Sequence, residues 1–458
     1  MSPLDSKNDI RVINDDFRKA IDTYKDDTSD PKKVIIEFRN DLTEKLARPV
    51  HQIPIELIRL RRNNGRIASD VLAYESKHGR IKESTDEGQK IIRGFINKKH
   101  SSEDKTLYQS LIQYGQREHA IITCDGYLIN GNRRKMTMDR LHLEYPNDTR
   151  FAYMRAVILP GSGQQGGAPT IKEIEQLENR LQLMKTGKAE YKGFDGALSI
   201  RRKIDLGISI EEQLLDNPEH FSKSPARLRS EVKKVENTSI NPLKCIDRYL
   251  LHFDRPDAYD LIGDRWQAFV DYSNFYYNYL KNERKRMVYF DGNVDEIDIP
   301  VIEDIAFKML RKRRFNSENL SDKLHMLMRQ LRDIYKDKDA RKEIEKIHTD
   351  IPIDIDQDKI EELDDPNSIK ERDREWSRDT EQNFNKIIIN AKKLILKSRE
   401  KETAMSLMTA ITGKLNKLNG KTILDGMNQN EIKKHFSSLR KIQEKVDEIV
   451  YSWDHKRQ

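Results

Sequence analysis

The feature that most limits what this chain can fold into is a change of apolar period near Gly161-Ser162-Gly163-Gln164-Gln165-Gly166-Gly167. Before it, short apolar runs suited to strands are mixed with helical patterns. After Pro169 the apolar residues recur almost throughout at helical spacing. His51 to Ile55, Ile121 to Cys124, Tyr127 to Asn130 and Phe151 to Leu159 read as strands. Asp125-Gly126 between the middle two is a two-residue hairpin signal. Downstream, Leu324, Leu327, Met328, Leu331, Ile334 and Tyr335 share one helical face, as do Ile432, Phe436, Leu439, Val446, Ile449, Val450 and Trp453. The reading is an α+β protein: a small mixed α/β domain followed by a large all-α region. Its segments are a helical extension at 1–46, with a helix over Pro31 to Leu46, the α/β domain at 47–168, a helical region at 169–295 and a C-terminal helical domain at 296–458. Asp350 to Arg374, rich in charge and holding Pro352 and Pro366, reads as a linker or exposed loop.

Composition narrows the classes. With 458 residues, 84 basic against 77 acidic, the net charge of +7 is a weak statement about nucleic acid. Two cysteines, Cys124 and Cys245, build neither a disulfide framework nor a four-cysteine zinc site. No apolar run is long enough to span a membrane, and Met1 to Asp16 lacks the apolar core of a secretory signal. A cytoplasmic, nucleoid-associated protein is the expectation. P-loop and nucleophile-elbow motifs are missing from the sequence. Asp354 to Asp358 fails as a calcium loop, because glycine and glutamate are not at the required later positions. Trp266, Phe269, Tyr272, Phe275, Tyr276 and Tyr279 recur at helical spacing and read as a buried face rather than a base-stacking platform.

Tyr108 to Leu141 carries the most chemistry. A helix ends at Gly115, a hairpin follows, and Gly131-Asn132-Arg133-Arg134 opens a new helix directly after a strand. Helix N-termini present unsatisfied N–H groups and a dipole that favours anions. Asn132 is placed to cap, and Arg133 with Arg134 offers guanidinium forks suited to phosphate oxygens. The same four residues also suit an ordinary solvated helix start, and residue types alone leave both readings open.

The wider segment resembles the ParB/sulfiredoxin superfamily. The matching residues are Ser110-Leu111-Ile112 with Gly115-Gln116, Ala120 to Thr123, Gly126 to Ile129, and Gly131 to Arg134. Upstream, Ile53 to Ile58 and Arg59 to Arg66 are similar to the family's opening strand and its Asn/Arg-bearing stretch. Downstream, Met154 to Leu159 is similar to its next strand, and Glu178-Asn179-Arg180 with Gln182 to its Glu-Asn segment. The resemblance covers about residues 50 to 240. It implies a nucleoside triphosphate, CTP by family, bound with Mg²⁺ by Gly115, Gln116, Gly131, Asn132, Arg133, Arg134 and Asn179. Glu178 would be the metal ligand and the catalytic residue of a slow hydrolysis. Two departures stand out: residues 67–106 are an insertion with a helix from Ile67 to His78, and the helix start lacks the sulfiredoxin cysteine, which disfavours a reductase.

A second module follows. Ala197 to Leu206 carries Arg201, Arg202 and Lys203. Ser209 caps a helix from Ile210 to Leu215, and Ser224-Pro225 opens a basic one with Arg227, Arg229, Lys233 and Lys234. ParB-like proteins carry a helix-turn-helix at this place, so Arg201, Arg202, Arg227, Arg229, Lys233 and Lys234 are the candidate contacts to double-stranded DNA. A plain bundle with solvated basic residues is the rival account. The long C-terminal helices suit either a homodimer or a monomeric bundle. The leading expectation is a ParB-like, nucleotide-dependent DNA-binding protein. The alternatives are a phosphoryl-transfer enzyme or nuclease of this fold in a mobile-element or phage-defence setting, and an interaction scaffold.

Overall fold

A computed structural model of the chain describes residues 11–25, 32–36, 38–39, 47–99, 102–164, 166–183, 193–315, 322–365, 367–415 and 427–454. It forms two compact units, Met1–Asn390 and Ala391–Gln458. The first begins with α1 (Asp15–Asp22), β1 (Lys33–Ile35) and β2 (Ala47–Pro54). It continues with α2 (Ala68–His78), α3 (Asp86–Lys98), α4 (Ser102–Tyr114), β3 (Ala120–Ile122), β4 (Leu128–Asn130), α5 (Asn132–Glu144), α6 (Thr149–Ala152) and β5 (Tyr153–Ile158). The five strands make one sheet in the order β1-β2-β5-β3-β4. β2 runs antiparallel to β1 and β5, β3 antiparallel to β4, and β3 parallel to β5. The small α/β part is therefore present. The expected helix over Pro31 to Leu46 is corrected in its first part, where Lys33–Ile35 is an edge strand on β2. Its remainder, beyond residue 39, lies outside the described residues.

Alternation along the strands gives the sheet two apolar faces. Ala120, Ile122, Leu128, Met154 and Ala156 point to one side, where they pack with Val71 of α2, Ile92 and Phe95 of α3, Leu111 of α4 and Met138 and Leu141 of α5. Ile121, Ile129 and Val157 point to the other, where Ile174 and Leu177 of α7 (Ile171–Leu183) cover them. The insertion at 67–106 thus supplies part of the sheet's core.

The predicted turn between β3 and β4 is buried rather than a free tip. Asp125 has no exposed surface. It accepts hydrogen bonds from the Thr123 hydroxyl at 2.6 Å, the Asn14 backbone N–H at 3.0 Å and the Arg11 guanidinium at 2.7 Å. A carboxylate out of water needs such partners. They tie the segment ahead of α1 to the hairpin. Gly126 has φ +84°, and a Cβ there would lie 2.6 Å from the Leu57 carbonyl oxygen.

The helical part of the first unit contains α8 (Gly193–Asp205), α9 (Ile210–Leu215), α10 (Pro225–Val235), α11 (Asn241–His252), α12 (Trp266–Phe275), α13 (Glu283–Tyr289), α14 (Ile299–Lys312), α15 (Leu324–Lys336), α16 (Lys338–Asp350), α17 (Gln357–Glu361) and α18 (Ile369–Asp379), and α19 (Glu381–Leu415) begins in it. Phe269, Tyr272, Phe275 and Tyr276 are buried, as the core reading of the aromatic stripe expects. Tyr249 meets Phe269 and Phe307 edge-on at 5.2 and 5.7 Å between ring centres.

Two buried carboxylates join these helices. Asp304 on α14 pairs with Lys308 at 2.9 Å, His252 at 3.1 Å and His348 at 2.7 Å. Asp373 on α18 accepts from Arg255 at 2.9 Å and from Arg311 at 2.7 Å. Most of 350–365 is exposed, as a linker or exposed loop would be, whereas Asp373, near the end of the 350–374 stretch, is buried within α18.

The second unit holds residues 391–415 of α19 and α20 (Gln429–Asp454). Phe436, Leu439, Val446 and Val450 line up on α20 as the spacing predicts, and all four are exposed. Among the described residues, no helix is long and apolar enough to cross a membrane.

Two outcomes follow. Gly126→Ala should lower stability by about 3 kcal/mol or more, from backbone strain plus the contact with Leu57, measured by urea unfolding. Hydrogen bonds from His252, Lys308 and His348 outweigh burial and hold Asp304 at about 2. The unfolded value is near 3.9, so its contribution is complete above that pH and is lost as pH falls towards 2. Between pH 4 and 2, Asp304→Asn should therefore lose less stability than the unchanged protein.

Candidate functional site

A cleft of about 390 Å³ opens beside the sheet. One wall is the extended segment that follows Ile55–Leu57. Arg59 pairs with Tyr127 in a parallel bridge: its N–H donates to the Gly126 carbonyl at 2.9 Å, and its carbonyl accepts from Leu128 at 2.9 Å. From that bridge one chain runs to Arg61 and Arg62, and the other runs along β4 to Gly131, towards the same end of the sheet. Gln89 holds Leu60 by its N–H at 2.8 Å and its carbonyl at 2.9 Å, which fixes where Arg61 starts.

Arg61 then points at α7. Its guanidinium donates to Glu178 and lies 3.7 Å from Glu175, one turn earlier on the same helix face. Arg202 of α8 reaches Glu175 at 3.2 Å. Lys203 donates to Asn179 at 3.0 Å and to Ser199 at 3.2 Å. Arg61, Glu175, Glu178 and Lys203 are each no more than 5% exposed, so this is a buried ionic group joining the sheet, α7 and α8. Burial pushes the Glu178 carboxyl above the usual range and Glu175 beside it adds to the effect, while Arg61, Lys203 and Arg202 pull it back. Burial likewise lowers Lys203.

The cleft lining is mostly cationic. Arg11, Arg61, Arg62, Arg80 and Arg202 face it against the carboxylates Glu83 and Glu175. Arg62 is held by Glu75 at 2.9 Å, and its backbone N–H donates to Glu83 at 2.8 Å. Arg11 lies 4.0 Å from the centre of the Tyr127 ring. Arg11, Arg61 and Arg62 are also paired behind the lining with Asp125, Glu178 and Glu75, so the cleft is rich in guanidinium groups that are largely balanced by carboxylates.

The residues singled out in sequence fall in three places. Arg202 lines the cleft, and Glu178 lies buried behind it, paired to Arg61. Asn179, one step round α7, faces away from it and donates to Asp216 at 2.7 Å and to the Gln213 carbonyl at 3.1 Å. The second place is the start of α5. Gly131, with φ +105°, is itself the N-cap, so Asn132 is the first helical residue and does not cap. The Asn132 Oδ1 is buried and accepts no hydrogen bond. A Cβ at Gly131 would sit 3.3 Å from Ala120 and Met154, so glycine permits the close approach of helix and sheet. Arg134 donates to Glu118 at 2.9 Å and to the His119 carbonyl at 3.4 Å, away from the cleft. Arg133 is half-buried on the first turn. Gly115, at φ +64°, ends α4. The Gln116 amide donates to the Glu118 and Arg155 carbonyls, both at 2.8 Å, and accepts from the Arg155 N–H at 2.7 Å, so it stitches the loop to β5.

The third place is the helical module. α8 turns into α9 through Gly207 at φ +76°, and Ser209 with Glu212 forms a capping box. α10 is capped by Ser224 and leaves Arg227, Arg229, Lys233 and Lys234 exposed. Arg201 is turned inward to Asp247 at 2.7 Å and the Tyr259 hydroxyl at 2.8 Å. Of the six candidate DNA contacts, four lie on an exposed face, one is bound internally and one lines the cleft.

No family model, curated protein or solved structure matches the chain. The geometry therefore stands alone. Among the described residues, no group of three or more His, Cys, Asp and Glu side chains is placed to hold a metal ion. Glu175 and Glu178 are already engaged by cations, and the Glu175 Oε1 atom is buried without a hydrogen bond.

Sequence reasoning missed Arg61, Arg62 and Glu175 as site residues. The readable signal was Glu175 and Glu178, two carboxylates three apart on an otherwise apolar helix face. Removing Arg61 leaves two buried carboxylates without their main counter-charge. Arg61→Ala should cost about 3–5 kcal/mol, and Arg202→Ala much less because its side chain is part-exposed, both read from urea unfolding.

Proposed function

We propose that this chain is a nucleotide-responsive DNA-binding protein of the ParB-like kind, with the ligand's phosphates received in the cleft at Arg61, Arg62 and Arg202. The observation that carries the reading is the convergence of five arginines on one cleft backed by a buried ionic cluster, with Arg202 part-exposed at it. Arg134 is committed to Glu118, so the main phosphate contacts move from that residue to the three arginines of the cleft. CTP with Mg²⁺ is the ligand that the resemblance implies. The metal would take the Glu175 carboxylate and the phosphates as ligands.

Duplex DNA would be met by the exposed face of α10, with Arg227, Arg229, Lys233 and Lys234 on backbone phosphates. Contacts of this kind position a protein and make its affinity depend on salt. The cleft and the basic helix are linked through α8, which supplies Arg202 to one and packs beside α9 and residues 236–240, against which α10 packs. A ligand that draws Arg202 forward would pull on the helical module, and this is the route by which nucleotide would alter DNA binding. A phosphoryl-transfer enzyme or nuclease is the second reading. The observation in its favour is Glu178, a carboxylic acid whose proton affinity is raised beside a cationic cleft. Mg²⁺-dependent loss of supercoiled plasmid, abolished by Glu178→Gln, would establish it.

The test is a thermal-shift panel of ATP, CTP, GTP and UTP with Mg²⁺, paired with anisotropy on labelled duplex DNA. One nucleotide at a hundred times its Kd should stabilise by about 2.7 kcal/mol. Arg202→Ala should remove most of that shift. Arg227→Ala with Arg229→Ala should weaken DNA binding and leave the shift intact. Absence of any nucleotide response in the unchanged protein sinks the proposal.

A further inference from the structure

A second cationic cavity lies far along the chain from the cleft, where the end of α14 meets the start of α15. Its volume is about 330 Å³. Arg313 and Arg314 reach it from the end of α14, Lys323 and His325 from the start of α15, and Arg265 forms part of its wall. Asp264 and Asp322 are the carboxylates in the lining.

Three observations converge there. First, its cations are not neutralised by carboxylates. Arg265 is buried, and its donors go to the Ile262 carbonyl at 2.9 Å, the Leu310 carbonyl at 2.8 Å, the Leu261 carbonyl and the Tyr249 hydroxyl at 2.8 Å. Arg313 donates to the Leu261 carbonyl at 2.8 Å. Among the described residues, no ion pair joins a carboxylate to Arg265, Arg313, Arg314, Lys323 or His325. Burial lowers the proton affinity of Arg313, and the neighbouring charge of Arg265 lowers it further.

Second, the backbone turns sharply at this point. Arg313 has φ +68° and ψ −55°, and the Arg314 N–H donates to the Lys312 carbonyl at 2.8 Å. This is a γ-turn of the rare, strained hand. Instead of continuing along the helix axis, the chain turns at Arg313 and presents two successive guanidinium groups to one cavity.

Third, α15 begins at the same cavity without a capping side chain. Lys323 is its N-cap and makes no side-chain cap hydrogen bond. The first-turn N–H groups and the positive end of the dipole therefore add to the cationic wall.

We propose that this cavity is a binding site for a small phosphate-bearing ligand, distinct from the cleft beside the sheet. Forked guanidinium donors, a lysine and a helix start offer more hydrogen-bond donors than a chloride or a single carboxylate can use, and a phosphate group takes them up. The volume leaves room for a small organic part beyond one phosphate.

The experiment uses the full chain. Inorganic phosphate, a nucleoside monophosphate and a sugar phosphate are each titrated against sodium chloride at matched ionic strength, with calorimetry and thermal shift as readouts. The titrations are made in the Arg202→Ala background, which removes the cleft's share of any phosphate response, and a response to phosphate should remain there. Arg314→Ala with Lys323→Ala, both at exposed positions, should weaken the response at least about tenfold, and Arg314→Lys should keep part of it. Circular dichroism confirms that each variant is folded. The strongest of the three ligands identifies the source of the phosphate group. The proposal is overturned if none of the three binds, if the Arg314/Lys323 variant responds as the Arg202→Ala background does, or if Arg202→Ala alone abolishes the response.

Discussion

The structure turns on a salt bridge that water does not reach. Arg61 extends from a segment clipped to the sheet, and Glu175 and Glu178 meet it from α7. Neither side tolerates burial alone. Their pairing fixes the distance between sheet and helix, and Arg202 and Lys203 carry the same network into α8. A purely apolar contact could hold these elements together but would not leave charge at a cleft. The network does both: its interior members balance one another, and Arg202, part-exposed, carries it to the cleft lining.

A similar logic organises the helical part. Asp304 is met by Lys308, His252 and His348 from three helices, and Asp373 by Arg255 and Arg311. With so many charged residues in the chain, its apolar surface is limited, and directional contacts supplement the packing of Tyr249, Phe269 and Phe307. Internal pairing also explains why a nearly balanced formal charge coexists with two local cationic cavities. Where carboxylates are drawn into the core, the arginines left at the surface have fewer partners.

Much of this architecture was legible in the sequence. The strands around Asp125-Gly126, the helix after Gly131 and the capped helix at Ser209 follow from period, turn chemistry and capping, which act over a few residues. β1 was read as a helix because three edge residues show too little alternation to outvote a longer apolar spacing. Asp373 was assigned to a linker because charge and proline are local signals, whereas burial depends on helices far away in sequence. Asn132 was expected to cap, yet Gly131 reaches the left-handed region and starts the helix one residue earlier. At the site, Glu178 and Arg202 were named, but for other tasks. Arg61 was not, since nothing local says which arginine a fold will turn inward. The side chain of Arg134 could not be aimed from sequence either, because its partner Glu118 lies across a loop.

Both cysteines are buried, Cys124 beside the β3–β4 turn and Cys245 within α11. Burial raises each thiol, that of Cys245 to about 12, so little reactive thiolate exists at neutral pH. Each sulfur becomes available to an alkylating reagent only when its surroundings open. The protein thus carries two native clocks, one in the sheet and one in the helices, and their relative labelling rates would tell whether the two parts open together or in turn.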